Sequence, residues 1–571
     1  MRSVLLLAST LLFAASAFSQ RIEVTIPTKA RLTGHLILVI SKETGKDAPE
    51  PRMQLDERYT SAQGFGVDVE DLAPGQPIVV DDKTIGFPRR SLADLDAGDY
   101  TVQGVFNVYE QFHLASGKTL WLPPDKGEGQ HWNRKPGNPY NGPVRLQIDP
   151  RSHKILKLTL DKVIPPIEGT DDDPAVIAAK QPGAKWLRYI RFRSEKLSRF
   201  WGRDMYLGAW VLLPEGFDQH PNAHYPLIVY QDHFHPGFAA PVPFVTSPPS
   251  DPHPSAHELA GYRFFQDWTS GRLPRVLLLY VQSPNPYFDD SYDVDSANVG
   301  PYGSAINEEL IPSIERQFRG IGQGWARATY GGSTGGWESL ATQIFYPDMY
   351  NGTYTACPDP IDFHAYENID LYHDSNAFTR KGDFGEVPVA SDRKPDGTIT
   401  GVVGDSYRYE YVLGTHSRSS EQWAIWQAVF SPVGPDGYPK DVIDPLTGAI
   451  DQTTVAYWRE HYDLTAILER NWATLGPKME GKLHLTVGDG DTYYLNNAVH
   501  LLQHFLDSTR NPHSDATFQY GPRMPHCYTG GPSAYTMLQN RDTWAQRVIP
   551  QMVEHMLKTA PPGADVKSWR Y

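Results

Sequence analysis

The order of apolar and polar positions divides the chain into two unlike parts. Between Arg21 and residue 165, short segments alternate or run apolar: Arg21 to Pro27, His35 to Ser41, Pro77 to Val80, Tyr100 to Tyr109 and Ile155 to Leu160. Clusters of Gly, Pro and Asp separate them. Alternation turns one face of a strand toward a core, and such clusters favour turns, so residues 20–165 predict a β-rich, sandwich-like unit. Leu122 to Pro143, rich in Pro, Gly, Asn and Trp, reads as a long ordered loop. Residues 166–186, with Asp171-Asp172-Asp173-Pro174, read as a linker.

From residue 187 to 571 the pattern changes. Leu187 to Phe200 reads as an amphipathic edge strand, and Met205 to Leu213 as a second strand ending at Pro214. Apolar runs then recur at wide spacing: Pro226 to Tyr230, Val276 to Val281, Ala326 to Tyr330, Gly352 to Ala356, Leu483 to Val487 and Thr517 to Tyr520. Helical stretches lie between several of them. Ile306, Leu310, Ile314 and Phe318 share a helix face from Ala305 to Phe318, although Pro312 interrupts the donor pattern. Buried strands alternating with helices predict an α/β fold with a mostly parallel sheet covered on both sides. Residues 359–482 separate two of these strands. They hold Trp423, Trp426, Tyr457, Trp458 and Tyr462, with a helix expected from Thr454 to Asn471, and read as a cap inserted above the sheet.

The chemistry sits at strand ends. Gly331-Gly332-Ser333-Thr334-Gly335 is a Gly-x-Ser-x-Gly turn between a predicted strand and a helix on which Trp337, Leu340, Ala341 and Ile344 share a face. A serine presented by such a sharp turn needs small neighbours two residues away on each side. Its hydroxyl is a poor nucleophile until a base takes the proton, and the base needs an orienting carboxylate. In a parallel sheet both partners should follow the C-terminal ends of later strands. Asp491 in Gly488-Asp489-Gly490-Asp491 and His526 in Gly521-Pro522-Arg523-Met524-Pro525-His526 meet that requirement. Asp489 competes with Asp491, and His500, His504 and His513 compete with His526. Backbone donors for an oxyanion are expected from Thr334 and from His233, in the loop after the first buried strand. Each signal also has a plain structural reading: a helix N-cap for the serine, a turn for Gly-Asp-Gly-Asp.

Histidines 233, 235, 253 and 257 carry spacings that zinc can use, but no glutamate-containing zinc motif accompanies them. Asp289, Asp290, Asp293 and Asp295 lack the glycine and terminal glutamate of a calcium loop and read as a solvated acidic loop. The expectation is no metal and no cofactor. Cys357 and Cys527, the only cysteines, could form one bridge or remain thiols; a zinc site from two cysteines so far apart along the chain is a poor reading.

With 571 residues the chain has room for more than one core, and its formal charge of −15 disfavours nucleic acid and anionic membranes as partners. Met1 and Arg2 precede an apolar run from Val4 to Ala17, followed by small residues. Residues 1–19 therefore read as a secretory signal peptide, too short to span a bilayer, with a periplasmic or extracellular mature protein and no membrane anchor.

Residues from about Met205 to Tyr528 resemble the esterase branch of the α/β-hydrolases, which includes feruloyl and acetyl xylan esterases, siderophore esterases and the antigen 85 mycolyltransferases. The resemblance rests on Val211 to Phe217, Tyr225 to Tyr230, Gly303 to Phe318, Gly331 to Trp337, and Gly488 to Asp491 with His526. It implies an α/β-hydrolase fold with Ser333, Asp491 and His526 as triad. Asp232-His233 stands where the family often has His-Gly, and the cap and the N-terminal β unit exceed the family's minimal fold. A cytosolic S-formylglutathione hydrolase role conflicts with the expected leader. The expected function is a secreted serine esterase acting on a small-molecule or glycan-linked ester. Acyl transfer, peptide hydrolysis and a catalytically silent carbohydrate-binding protein are the rival readings.

Overall fold

The computed structural model describes residues 20–43, 45, 47–169, 173–233, 243–531 and 541–571. The expected leader at residues 1–19 and the candidate ligand His235 lie outside the described residues.

The C-terminal part is built on an eight-stranded sheet: β1 (Leu187–Ser194), β2 (Met205–Leu212), β3 (Leu227–Gln231), β4 (Leu277–Gln282), β5 (Arg327–Gly332), β6 (Thr353–Ala356), β7 (Leu483–Gly488) and β8 (Thr517–Gly521). Their order across the sheet is β1-β2-β4-β3-β5-β6-β7-β8. From β4 through β8 all pairings are parallel, and β2 runs antiparallel to both of its neighbours. Every side chain of β4 is buried, because helices cover both faces and water reaches neither. On one side Trp337, Leu340, Ala341 and Ile344 of the helix Thr334–Phe345 pack into the core, together with Phe430 from the 359–482 segment. The helix Trp544–Thr559 packs its Trp544 edge-on against Tyr330 of β5.

Two sequence expectations change, and a third holds. The run from Leu187 to Phe200 is a strand only as far as Ser194, whose hydroxyl then accepts from Leu197 N at 3.2 Å and starts the helix Glu195–Trp201. Gly202, at φ 67°, ends that helix in the left-handed conformation that favours glycine. The expected single helix from Thr454 to Asn471 is two, Gln452–His461 and Leu464–Met479. Asp463 divides them: its carboxylate accepts from Ala466 N and Phe363 N, at 2.7 and 2.8 Å, and this N-cap outcompetes continuation. From Tyr302 to Phe318 the helical path is unbroken, and a π-type stretch, Ala305–Leu310, accommodates the missing donor of Pro312.

Residues 20–163 form two larger sheets and a two-stranded pair, Glu110–His113 with Thr119–Leu122. Arg21–Thr25 pairs with Ile155–Thr159 and Ile78–Val80, while Leu32–Ser41 and Gly98–Val108 lie within a seven-stranded sheet. Ile22, Val24, Leu36, Leu38, Ile40, Val102, Phe106, Leu156 and Leu158 fill the space between them. The strand Leu32–Ser41 is buried on both faces, which explains its continuous apolar run. Leu36 and Leu38 enter the sandwich core, while Ile37 and Val39 meet Tyr409, Val412 and Leu413 on the helix Val403–Leu413 of the inserted segment. The β unit thus carries the insertion.

That docking is close. His35 Nε2 donates to the Val412 carbonyl at 2.8 Å, and a Cβ added at Gly66 would overlap the same oxygen. Gly66→Ala should therefore destabilise the protein by about 1–3 kcal/mol, the usual cost of overpacking a fitted contact, read as a lowered denaturant midpoint.

Candidate active site

The helix after β5 begins at a strained residue. Ser333 has φ 60° and ψ −123°, a conformation that side chains rarely adopt, and it stands between the last residue of β5 and the first turn of the helix. The turn is possible only because the backbones nearly touch. A Cβ at Gly331 would overlap the Gly335 carbonyl, and one at Gly335 would overlap the Gln231 carbonyl at the end of β3. Gly332 is different, since its nearest prospective neighbours lie at 3.8 Å.

The ends of β5, β7 and β8 bring three expected side chains together. His526 Nε2 lies 2.8 Å from Ser333 Oγ, and His526 Nδ1 lies 3.0 Å from Asp491 Oδ2. Asp491 is fully buried, and its other oxygen accepts from Tyr493 N at 3.0 Å and Leu495 N at 3.3 Å. Arg393, from the inserted segment, donates to the Asp491 carbonyl at 3.0 Å and fixes the loop from outside. Asp489 does not enter this chain of contacts; it is half-exposed, 3.9 Å from His500 Nε2. His513 bonds the Thr509 carbonyl instead. Burial opposes charge on His526, while the Cys527 sulfur and the Asp491 carboxylate favour it, and the balance lies well above the ordinary histidine value. The edge of the Tyr493 ring packs on the imidazole, with centroids 5.0 Å apart.

The expected oxyanion donors fare unequally. Thr334 opens the helix, where first-turn N–H groups have no intrahelical acceptor. The His233 N–H is already given to Asp232 Oδ1 at 2.9 Å, so the structure does not leave this donor free. The His233 ring is engaged as well, with Nδ1 3.0 Å from Asp289 Oδ1 and Nε2 3.1 Å from Thr334 Oγ1. Burial lowers its pKa, but Asp289 outweighs burial and raises it to about 10. The ring is therefore a cation beside the serine at neutral pH. His257 pairs with Asp542, so the four histidines singled out for zinc do not converge among the described residues.

Several neighbours of Ser333 escaped the sequence reading. Asp359 accepts from Ser333 Oγ at 3.3 Å, Thr334 Oγ1 at 2.9 Å, Tyr292 OH at 2.6 Å and Gln422 Nε2 at 3.1 Å. Burial raises its pKa against the pull of Tyr292 and the two histidines. Asp359 follows the C-terminal end of β6, so the strand-end rule that found Asp491 would also have found it. Tyr292 and Gln422 lie in loop and cap, where no sequence pattern marks them. The cap aromatics are core: Trp423, Trp426, Trp458 and Tyr462 are buried and packed on Tyr366, Tyr407 and Phe430. They offer no open platform for an aryl or sugar ring.

The acidic loop is not solvated as its composition suggests. Asp290 and Asp293 are buried, and their carboxylates meet that of Glu338, on the serine's helix, within 4.8 Å. Glu338 is in hydrogen-bonding contact with Asp290, an acid-to-acid pair that needs a shared proton. Burial, then the neighbouring carboxylates, push Glu338 well above its ordinary value, and burial and Asp290 push Asp293 up to about 7. The folded chain therefore holds protons that the unfolded chain releases.

Two expectations follow from these contacts. Gly335→Ala should cost about 1–3 kcal/mol or more and lower the thermal midpoint, whereas Gly332→Ala should be tolerated, because only the former meets a carbonyl. Raised carboxyl pKa values give stability that is complete below the unfolded value near 4 and is lost as pH rises through about 7 and beyond. The denaturant midpoint should accordingly fall from pH 5 to pH 8. Glu338→Gln should flatten that fall by about 1 kcal/mol or more, one pKa unit being worth about 1.4 kcal/mol.

Residues 202–410 match the sequence profile of the family described as "Putative esterase". No curated protein matches the chain. Among solved structures it is similar to a ferulic acid esterase, at 13% identity and a TM-score of 0.34, over 65% of this chain and 98% of that one. It is also similar to an S-formylglutathione hydrolase from Agrobacterium tumefaciens, at 11% identity and 0.33, over 65% and 94%. Dipeptidyl peptidase 4 from Porphyromonas gingivalis gives 11% identity and 0.33, over 86% of this chain and 53% of that one. Likenesses of this degree say nothing of substrate. The family profile spans the serine turn and the strands β2 to β6 that frame it.

Proposed function

We propose that the protein is a serine esterase that cleaves a carboxylic ester through an acyl-enzyme on Ser333. The observation that carries this reading is the unbroken relay from Asp491 Oδ2 to His526 Nδ1, 3.0 Å, and from His526 Nε2 to Ser333 Oγ, 2.8 Å. In this scheme His526 takes the serine proton as Oγ attacks the ester carbonyl, then returns it to the leaving alcohol. Asp491 holds the ring in the required tautomer and compensates the imidazolium. Water, activated by the same imidazole, then hydrolyses the acyl-enzyme. The Thr334 N–H is the first oxyanion donor in this reading. The His233 N–H can join only by exchanging Asp232 Oδ1 for the oxyanion. The proposed setting is periplasmic or extracellular, and the proposed substrate a small-molecule or glycan-linked ester.

The test is hydrolysis of a p-nitrophenyl ester alongside labelling by a fluorophosphonate. Wild-type protein should do both. Ser333→Ala should lose the label and roughly 10⁴–10⁶ of the rate, and Asp491→Asn about 10⁴. Asp489→Asn should stay near wild type, since that carboxylate lies outside the relay. Folded wild-type protein that neither labels nor hydrolyses would overturn the proposal.

A further inference from the structure

The fold brings together two cysteines that lie far apart along the chain. Cys357 follows the last residue of β6, and Cys527 follows His526 in the loop after β8. The two sulfurs and a ring nitrogen of His526 all lie within 4.8 Å of one another, and both cysteines are free thiols. The Cys357 backbone is tied both to β7 and to the serine turn. Cys357 N donates to the Thr486 carbonyl of β7 at 2.6 Å, and the neighbouring Ala356 carbonyl accepts from Ser333 N at 3.1 Å. Cys357 and Cys527 both have positive φ, 36° and 64°, which turns each away from the path of an ordinary strand or helix.

We propose that Cys357, Cys527 and His526 form a binding site for a thiophilic divalent cation, of the zinc or cadmium class, and that its occupancy switches the serine site off. Two thiolates and an imidazole are the donor set such ions prefer. A tetrahedral ion, with metal–sulfur bonds of about 2.3 Å and a metal–nitrogen bond of about 2.0 Å, needs donors roughly 3.5 Å apart, within reach of small side-chain rotations here. The fourth position is left for water. Binding forms two metal–sulfur bonds and one metal–nitrogen bond, and whatever protons the two sulfurs and the coordinating nitrogen hold beforehand are released to solvent. Both ring nitrogens already serve other partners, Ser333 and Asp491. Whichever nitrogen turns to the metal, one link of the relay breaks. The inhibitory consequence rests on the proposed role of His526; the capture of metal does not.

The test uses full-length protein freed of metal by a chelator, with CdCl₂ or ZnCl₂ as the only addition. Thiol titration after unfolding without reductant should find both sulfhydryls, Cys357 being buried in the folded protein. Cadmium should raise a sulfur-to-metal charge-transfer band in the ultraviolet, in wild type and equally in inactive Ser333→Ala, so capture is read without hydrolysis. In wild type the same concentration should abolish ester hydrolysis, and EDTA should restore it. Cys357→Ser and Cys527→Ser, each compared with its own metal-free rate, should lose the band and need a higher metal concentration for half-inhibition. That increase should exceed the roughly 10–100-fold that loss of even an outer-shell partner costs. Protein with no titratable thiol after that unfolding, because the pair is a disulfide, would overturn the proposal. So would cysteine variants that bind cadmium as wild type does. A band without inhibition would keep the metal site and remove its effect on catalysis.

Discussion

The carbonyl oxygen of Gln231 occupies the space that any side chain at position 335 would need. Most of the site follows from that contact. It lets the helix after β5 begin directly against the end of β3, which forces Ser333 to turn with φ 60° rather than extend the strand. A serine so turned cannot bury its hydroxyl in the sheet, and Oγ faces the space above the strand ends, where β7 and β8 deliver Asp491 and His526. Gly488 repeats the device, since a Cβ there would overlap the Met524 carbonyl and push the histidine loop away. The relay therefore depends on backbone approaches that tolerate no side chain, and only secondarily on the relay residues themselves.

Around this frame the charges are arranged unusually. A cationic His233 and a buried Asp359 both bond the Thr334 hydroxyl, and Asp359 also reaches Ser333. Beneath them, Asp290, Asp293 and Glu338 share a buried space in which burial favours the protonated forms. Burying three ionised carboxylates together would cost far more than protonating some of them. The region is thus an electrostatic compromise, in which the serine's helix is tied to the loop after β4 by groups whose charge depends on pH.

The outer parts of the chain support this centre. The inserted segment reaches the serine through Gln422, which donates to Asp359 and the Thr334 hydroxyl, and it reaches the acid loop through Arg393. Its aromatic residues pack edge-on and tilted against one another and hold the insertion together. The N-terminal sandwich in turn packs Ile37 and Val39 on the insertion's helix, so three layers of contact connect the β unit to the relay. A strand buried on both faces, as Leu32–Ser41 is, belongs where two cores meet.

Sequence alone determined the elements and the strand ends on which the relay stands. The six runs from Pro226 to Tyr520 appear as β3 to β8, the last an exposed edge strand, and Ser333, Asp491 and His526 each follow one of them. Such features are legible because apolar periodicity, glycine spacing and strand-end position are local properties of the chain. Asp359 obeys the same rule, but it also opens the inserted segment, where the strand-end signal merges with the insertion. Tertiary structure alone decided the rest: that the His233 amide belongs to Asp232, that Asp290 and Asp293 are buried against Glu338, that the cap's tryptophans are core, and that Cys357 meets Cys527 beside the imidazole. Each of these depends on which distant side chain arrives at a given carbonyl, carboxylate or thiol. Pairings of that kind are set by the packing of whole elements, which no short stretch of sequence encodes.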